Sequence, residues 1–382
     1  MKTGVVENRF TTAVALNESE QRGERVHCTI LFRFGFMNGH AALLSTSKEV
    51  LINQAAPLLF AEYVSDILIQ QAINGKCFAQ ANITTLHFSA LHSSVLPKIT
   101  SFFDALFVEE LDVDTFAKLK ERARENFSRR YADTEYRAYL KVLEVCGYEA
   151  QFRLEDLVRS LKEITFEEYT SFLSKMLHLG NIVMLFDGKT ETLSQDAILK
   201  QLPVPLIEEA GKGWAVTSTP STAAMLSGDY SLELLGSKEM YVFALRFYFG
   251  EVAPNDMFIF LLFVAAALDV PATIMLDGYM PSIICFMEEE REIDASLLRN
   301  LSEEHFESLK LNAEILLSSV LNDPQGFGEI VVQALSQGVS IFDIFAGFAS
   351  VSFEDVLGFI EDEYPQIRKG LVHMRAEGTS NE

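Results

Sequence analysis

Two stretches of this chain repeat each other 190 residues apart, and that repeat restricts the fold more than any other feature. Phe116-Ala-Lys-Leu119-Lys120 reads like Phe306-Glu-Ser-Leu309-Lys310, and Asp133-Thr134 meets Asp323-Pro324 at the same shift. Each copy continues as a helical pattern that ends in an apolar run and a glycine, Val145-Cys-Gly147 and Leu335-Ser-Gln-Gly338. Each then opens a further helix with a hydroxyl three residues ahead of an acid, Thr165-Phe-Glu-Glu168 and Ser352-Phe-Glu-Asp355. Such a pair satisfies two of the amides that a helix start leaves bare. Short apolar segments follow, 181–186 and 370–374, and over the series the shift drifts only from 190 to 187. Matches kept in order over that distance mark a duplication.

The front of each half reads as strand, helix, then strand. In the first, 26–36 is apolar and β-branched, 55–72 has a helical apolar surface, and 83–91 alternates as a strand does. In the second the same roles fall to 240–249, 256–268 and 282–287. Strands segregated from helix pairs predict an α+β chain of two duplicated domains, 1–200 and 213–382. Each would be a mixed, mainly antiparallel sheet covered by helices. Between them 187–220 is rich in Gly, Pro, Ser and Thr, with Pro203-Val-Pro205 and Gly211-Lys-Gly213, and reads as a hinge.

A formal net charge of −23 argues against a phosphate-binding surface and leaves room for a basic peptide or protein partner. Cys28, Cys77, Cys146 and Cys285 have no metal or redox spacing and read as reduced thiols. The first residues lack the apolar core of a signal peptide. The longest uncharged apolar run, 257–268, rises only about 18 Å as a helix, too short for a bilayer. The expectation is a soluble, cytoplasmic protein with no membrane segment.

The seven histidines, His27, His40, His87, His92, His178, His305 and His373, include no two at helical ligand spacing. Neither H-E-x-x-H nor its inverse occurs, and a serine nucleophile elbow, a phosphate loop and a dinucleotide glycine fingerprint are also missing. No self-contained catalytic constellation is legible.

A duplicated α+β unit of this size, helix-rich in its second part, resembles the pitrilysin/insulinase family of zinc metallopeptidases, and within it the short-chain branch whose subunits pair. Active members carry H-x-x-E-H on the first long helix and a distal Glu on a later one. Two imidazoles one turn apart and that carboxylate hold Zn²⁺, and the Glu between them activates the open-site water. The resemblance sets this pattern on Leu59, Glu62 and Tyr63, with Glu125 at the distal position and Ile315 as its counterpart in the second copy. Leucine cannot ligate a metal and a neutral phenol is a poor ligand, so no metal and no catalytic residue are expected here. Glu62 otherwise reads as a surface carboxylate, and Glu125 as an acid paired along its helix with Arg122 or Arg129.

The resemblance also aligns 76–85 with a single family strand, at Phe78-Ala79, and leaves Tyr279 as a candidate for touching substrate. It implies a non-catalytic subunit, without a cofactor of its own. Its partner would be a homologous H-x-x-E-H subunit that holds the zinc, and the heterodimer would enclose a short precursor peptide, as in subtilosin-type bacteriocin maturation. The competing expectation is an assembly protein that keeps the peptidase fold and takes no part in proteolysis.

Overall fold

A computed structural model describes residues 3–7, 13–36, 47–81, 83–108, 111–145, 154–202, 230–247, 254–268, 270–275, 282–290, 302–336, 338–363 and 368–376. The first half runs β1 (Thr3–Glu7), β2 (Ala13–Glu18), β3 (Arg25–Phe32), α1 (Ser47–Gln70), β4 (Gly75–Ala79), β5 (Thr84–Leu91) and α2 (Val95–Val108). It continues through α3 (Val113–Ala132), α4 (Thr134–Val145), α5 (Leu154–Glu163), α6 (Phe166–Met176), β6 (Ile182–Gly188) and the short α7 (Gln195–Leu199). The second half runs β7 (Tyr230–Gly236), β8 (Met240–Arg246), α8 (Pro254–Leu268), β9 (Ala272–Met275) and β10 (Ser282–Met287). It ends with α9 (Glu303–Asn322), α10 (Pro324–Ser336), α11 (Ile341–Ser350), α12 (Phe353–Glu363) and β11 (Arg368–Ala376).

The two sheets have one topology. The first is ordered β1-β2-β6-β3-β5-β4 and the second β7-β11-β8-β10-β9. In each, the last strand of the half inserts between two earlier ones and runs parallel to one of them (β6 to β2, β11 to β7), and every other pairing is antiparallel. The fold is α+β and duplicated, as the repeat implies, with β1 as an unanticipated sixth strand.

The repeated residues do the same work in both copies. Thr165 caps α6 through the Glu168 amide while the Glu168 carboxylate accepts from the Thr165 amide. Ser352 and Asp355 exchange the same two bonds at α12, 3.1 and 2.9 Å. Phe116 packs against Phe166, ring centroids 5.7 Å apart, and Phe306 against Phe353 at 5.8 Å. Lys120 Nζ donates to the Ile164 carbonyl at 2.9 Å, and Lys310 Nζ to the Val351 carbonyl at 3.3 Å. Each lysine thus satisfies the carbonyl just ahead of a helix cap.

Side-chain alternation gives the first sheet two covered faces. Phe32 meets Phe60 of α1 at 4.9 Å, and Phe34 meets Phe172 of α6 at 5.3 Å. Thr29, on the opposite face, meets α10. β6 is buried along its whole length, as a strand covered on both sides must be.

That α10 covers the first sheet departs from a division at 1–200 and 213–382. One compact unit comprises Met1–Asn126, Glu155–Thr217 and Asn322–Ser336; the other comprises Phe127–Leu154, Ser218–Leu321 and Gln337–Glu382. α4, from the first half, packs on β7, β11 and β8, and α10, from the second, packs on β3, β6 and β5. Each half lends the other its matching helix. In the second unit Thr134 Oγ1 bonds Ser237, and Arg137 donates to the Leu235 carbonyl.

The segment 187–220, expected as a hinge, is folded at its start, where it completes β6 and forms α7. Asp187 and Gly188 end β6, and Asp187 is buried, accepting from Asn17 Nδ2 at 2.7 Å and Arg22 Nε at 2.8 Å. Residues 203–220 of that segment lie outside the described residues. Cys28, Cys77 and Cys285 are free thiols, and Cys146 lies outside the described residues. No helix among the described residues is long and apolar enough to cross a membrane.

Candidate functional site

α1 and α3 carry the positions where the family resemblance sets its ligands. Leu59 is fully buried and Tyr63 is 6% exposed, one turn apart on the core side of α1. Behind them lies apolar and phenolic packing: burial first, then the nearness of Tyr63 and Cys77, pushes the Tyr169 phenol far up. Tyr169 in turn stacks on Phe116 at 5.6 Å. A leucine and a ring suit this pocket because they fill it without leaving a charge to solvate.

Glu62 turns instead toward α3. Its Oε1 accepts from Asn126 Nδ2 at 2.6 Å, and its Oε2 lies 3.9 Å from Arg122 Nε, an ion pair without a hydrogen bond. One turn further along α1, Asp66 Oδ2 accepts from Arg122 Nη2 at 2.5 Å. Arg122 therefore stands between two carboxylates spaced i, i+4 on the facing helix. The Asp66 bond, together with the charges of Asp66 and Glu62, outweighs partial burial and holds the guanidinium even more firmly protonated than usual.

Glu125 is not part of this arrangement. It is exposed, whereas Asn126, about 100° further round the helix, faces α1. Arg122, expected beside Glu125, is committed across to α1. Ile315, the counterpart of Glu125, is likewise exposed, so neither repeat turns this position inward. Asp66 and Asn126 escaped the sequence reading, and Arg122 entered it only as a neighbour of Glu125. The signal that carries them is the pair of i, i+4 spacings, Glu62/Asp66 and Arg122/Asn126, of opposite charge and polarity.

These residues do not fit a divalent cation. The two α1 positions that would supply imidazoles are apolar or phenolic and buried, and a metal at Glu62 would stand beside the Arg122 charge. Among the described residues no three His, Cys, Asp or Glu side chains converge as a metal site requires.

The segment 76–85, expected as one strand, is two. β4 and β5 form an antiparallel pair, with Phe78 opposite Thr85 and Ala79 opposite Thr84. β4 is the edge of its sheet, and Cys77 on it has a thiol pushed up by desolvation and then by the Glu62 charge, which leaves it a poor nucleophile. Tyr279 lies outside the described residues.

A second polar cluster forms on the other face of the sheet. His87 Nδ1 pairs with Thr29 Oγ1 at 2.9 Å, and His87 Nε2 with Glu329 Oε1 of α10 at 3.1 Å. Gln325 Nε2 donates to the same oxygen at 3.0 Å. Burial would raise the Glu329 pKa, but the bonds from His87 and Gln325 prevail and hold it below the ordinary range. Thr29 is 2% exposed and His87 nearly as buried, and the bonds they and Glu329 make between β3, β5 and α10 seat α10 on the sheet. His92 is elsewhere, bonded to the Lys189 carbonyl and Thr192.

No family model matches the chain, and no curated protein matches it in sequence. Solved structures do match in shape. An M16-like peptidase from Alicyclobacillus acidocaldarius superposes with a TM-score of 0.71 at 13% identity, covering 98% of both chains. A peptidase M16 inactive domain from Pseudomonas fluorescens gives 0.63 at 11% identity over 98% of this chain and 99% of that one. Pitrilysin gives 0.63 at 9% identity, with 99% of this chain covering 44% of its length. At these identities the likeness establishes the fold alone, and that fold is the duplicated one of the M16, pitrilysin-type peptidases.

Proposed function

We propose that this chain is a non-catalytic, peptidase-derived subunit that pairs with a homologous subunit carrying an intact H-x-x-E-H and its zinc. The observation that carries this reading is Arg122. At the meeting of α1 and α3, where an active relative would hold a dication between its helices, this chain places its own cation between Glu62 and Asp66. The site has been rebuilt as a brace, with the positive charge supplied covalently by α3. The partner supplies the chemistry, and this chain supplies part of the wall around a short precursor peptide. Peptide would add along the side of β4 that no described strand pairs, where main-chain bonds give affinity without sequence demands. Tyr279 and a role in bacteriocin maturation belong to the same proposal.

The test is co-expression with a zinc-bearing homologue of similar length, followed by gel filtration and peptide cleavage across a salt series. The reading expects a mixed complex that cleaves faster than the zinc subunit alone, with capture of cationic peptides weakening as salt rises. A zinc subunit equally active and equally salt-sensitive without this chain would transfer the case to an assembly protein of the same fold.

A further inference from the structure

Leu311, Ile315 and Leu316 on α9 stand 57%, 56% and 44% exposed. Leu311 and Ile315, one turn apart, share a face, and Leu316 flanks it about 100° further round. The other large apolar side chains that are exposed among the described residues, Ile69, Leu91, Val113, Val158 and Leu235, sit singly on five different elements. Isolated ones are ordinary, whereas neighbouring exposed aliphatic residues on one helix, with a third beside them, mark a surface that is covered in use.

The duplication provides an internal control. The Phe116/Phe306 and Lys120/Lys310 contacts fix the register of α3 against α9. In that register Glu121 and Glu125 of α3, both exposed, stand where α9 has Leu311 and Ile315. Glu121 is satisfied by Arg124 at 2.8 Å. The fold therefore accepts charge at these positions, and the aliphatic residues of α9 answer some other demand.

Charge around the strip points to what covers it. Glu307 precedes Leu311 by one turn and Glu314 follows it by one, with Glu303 and Glu304 exposed at the helix start. The one lysine of α9, Lys310, is engaged with the Val351 carbonyl and lies 5.9 Å from the Phe306 ring. A second copy of this chain would bring the same carboxylates against these, and a nucleic acid or anionic bilayer would be repelled by a chain of net charge −23.

We propose that α9 is the docking face for an amphipathic helix of another protein, one whose apolar ridge is flanked by Lys and Arg. Ser308 and Ser319 bound the strip, a length of about 16 Å or three turns, and their small side chains let a second helix approach. This inference stands on α9 and does not depend on the peptidase-derived reading.

A labelled helical peptide with a leucine ridge flanked by lysines serves as the probe, and the same ridge flanked by glutamates as its control, with binding to the full chain read by anisotropy. The lysine peptide is expected to bind, and to protect 308–319 from hydrogen exchange. Leu311→Ser with Ile315→Ser should weaken it about tenfold or more while thermal unfolding stays unchanged. Glu307→Gln with Glu314→Gln should weaken it less and flatten its salt dependence. The proposal is overturned if the serine pair binds as tightly as the parent, or if the glutamate peptide binds equally well. It is also overturned if the parent is a dimer that the serine pair converts to monomer, which would make the occupant a second copy. Binding of anionic vesicles through the same strip would equally overturn it.

Discussion

Gly328 of α10 lies so close against Thr29 of β3 that a methyl group on it would stand 1.9 Å from Thr29 Oγ1. A β-branched residue in a strand cannot swing that oxygen away cheaply. Gly328→Ala is therefore expected to destabilise the protein by roughly 2 kcal/mol, the usual cost of overpacking. A Thr29→Ala background should recover part of that loss, since it removes the clashing oxygen. Denaturant midpoints of the two single variants and the double decide it, and additive losses would exclude the contact.

The Arg122 brace should contribute modestly, because the arginine is 43% exposed and its pairs are screened. Arg122→Met is expected to cost about 1 kcal/mol at low salt, and less as salt rises. A double-mutant cycle with Asp66→Asn, read from urea midpoints, should show that most of the loss is shared between the two residues.

Rebuilding the metal site separates Asn126 from Glu125. Leu59→His with Tyr63→His should gain little zinc affinity, because Glu125 points to solvent. Adding Asn126→Glu and Arg122→Ala places a carboxylate opposite α1 and removes the competing charge, and measurable zinc binding should then emerge against a chromophoric chelator. Circular dichroism of each variant guards against reading misfolding as lost affinity. Tighter zinc in the variant that keeps Asn126 would reverse the assignment.

Burial, then the charge of Arg22, holds the His27 imidazole below its ordinary value of 6.5; Arg25 acts the same way, while Asp187 and Asp323 oppose them. The unfolded chain thus binds the proton more readily than the folded one. Stability tied to His27 is complete above about pH 6.5 and declines as pH falls toward the folded value. Comparing denaturant midpoints at about pH 7.5 and 5.5 should show that decline shrinking in His27→Gln. An identical decline in the variant would assign it to other groups.

Much of this was legible in the sequence because it is local. The cap at Thr165 needs only Glu168, the cap at Ser352 only Asp355, and the strand at Ser282–Met287 emerged with its bounds unchanged. The exchange of α4 and α10 was not legible. Periodicity says that a helix has an apolar face and is silent on which sheet receives it. The pairing of His87 with Glu329 joins residues 242 apart, and nothing near either announces the other. At the candidate site the reading was one residue away: Glu125 and Asn126 are adjacent in the chain, but about 100° of helix rotation turns one to solvent and the other to Glu62.

The lent helices have a thermodynamic consequence. Neither sequence half could be removed and leave the other's sheet fully covered, because its loss strips the helix it lends. The cooperative unit is thus not the repeat: each sheet melts together with a helix drawn from the other repeat. A single-repeat ancestor would have needed a second molecule to supply that helix, and its stability would have depended on concentration. Joining the repeats in one polypeptide makes the loan permanent and independent of dilution.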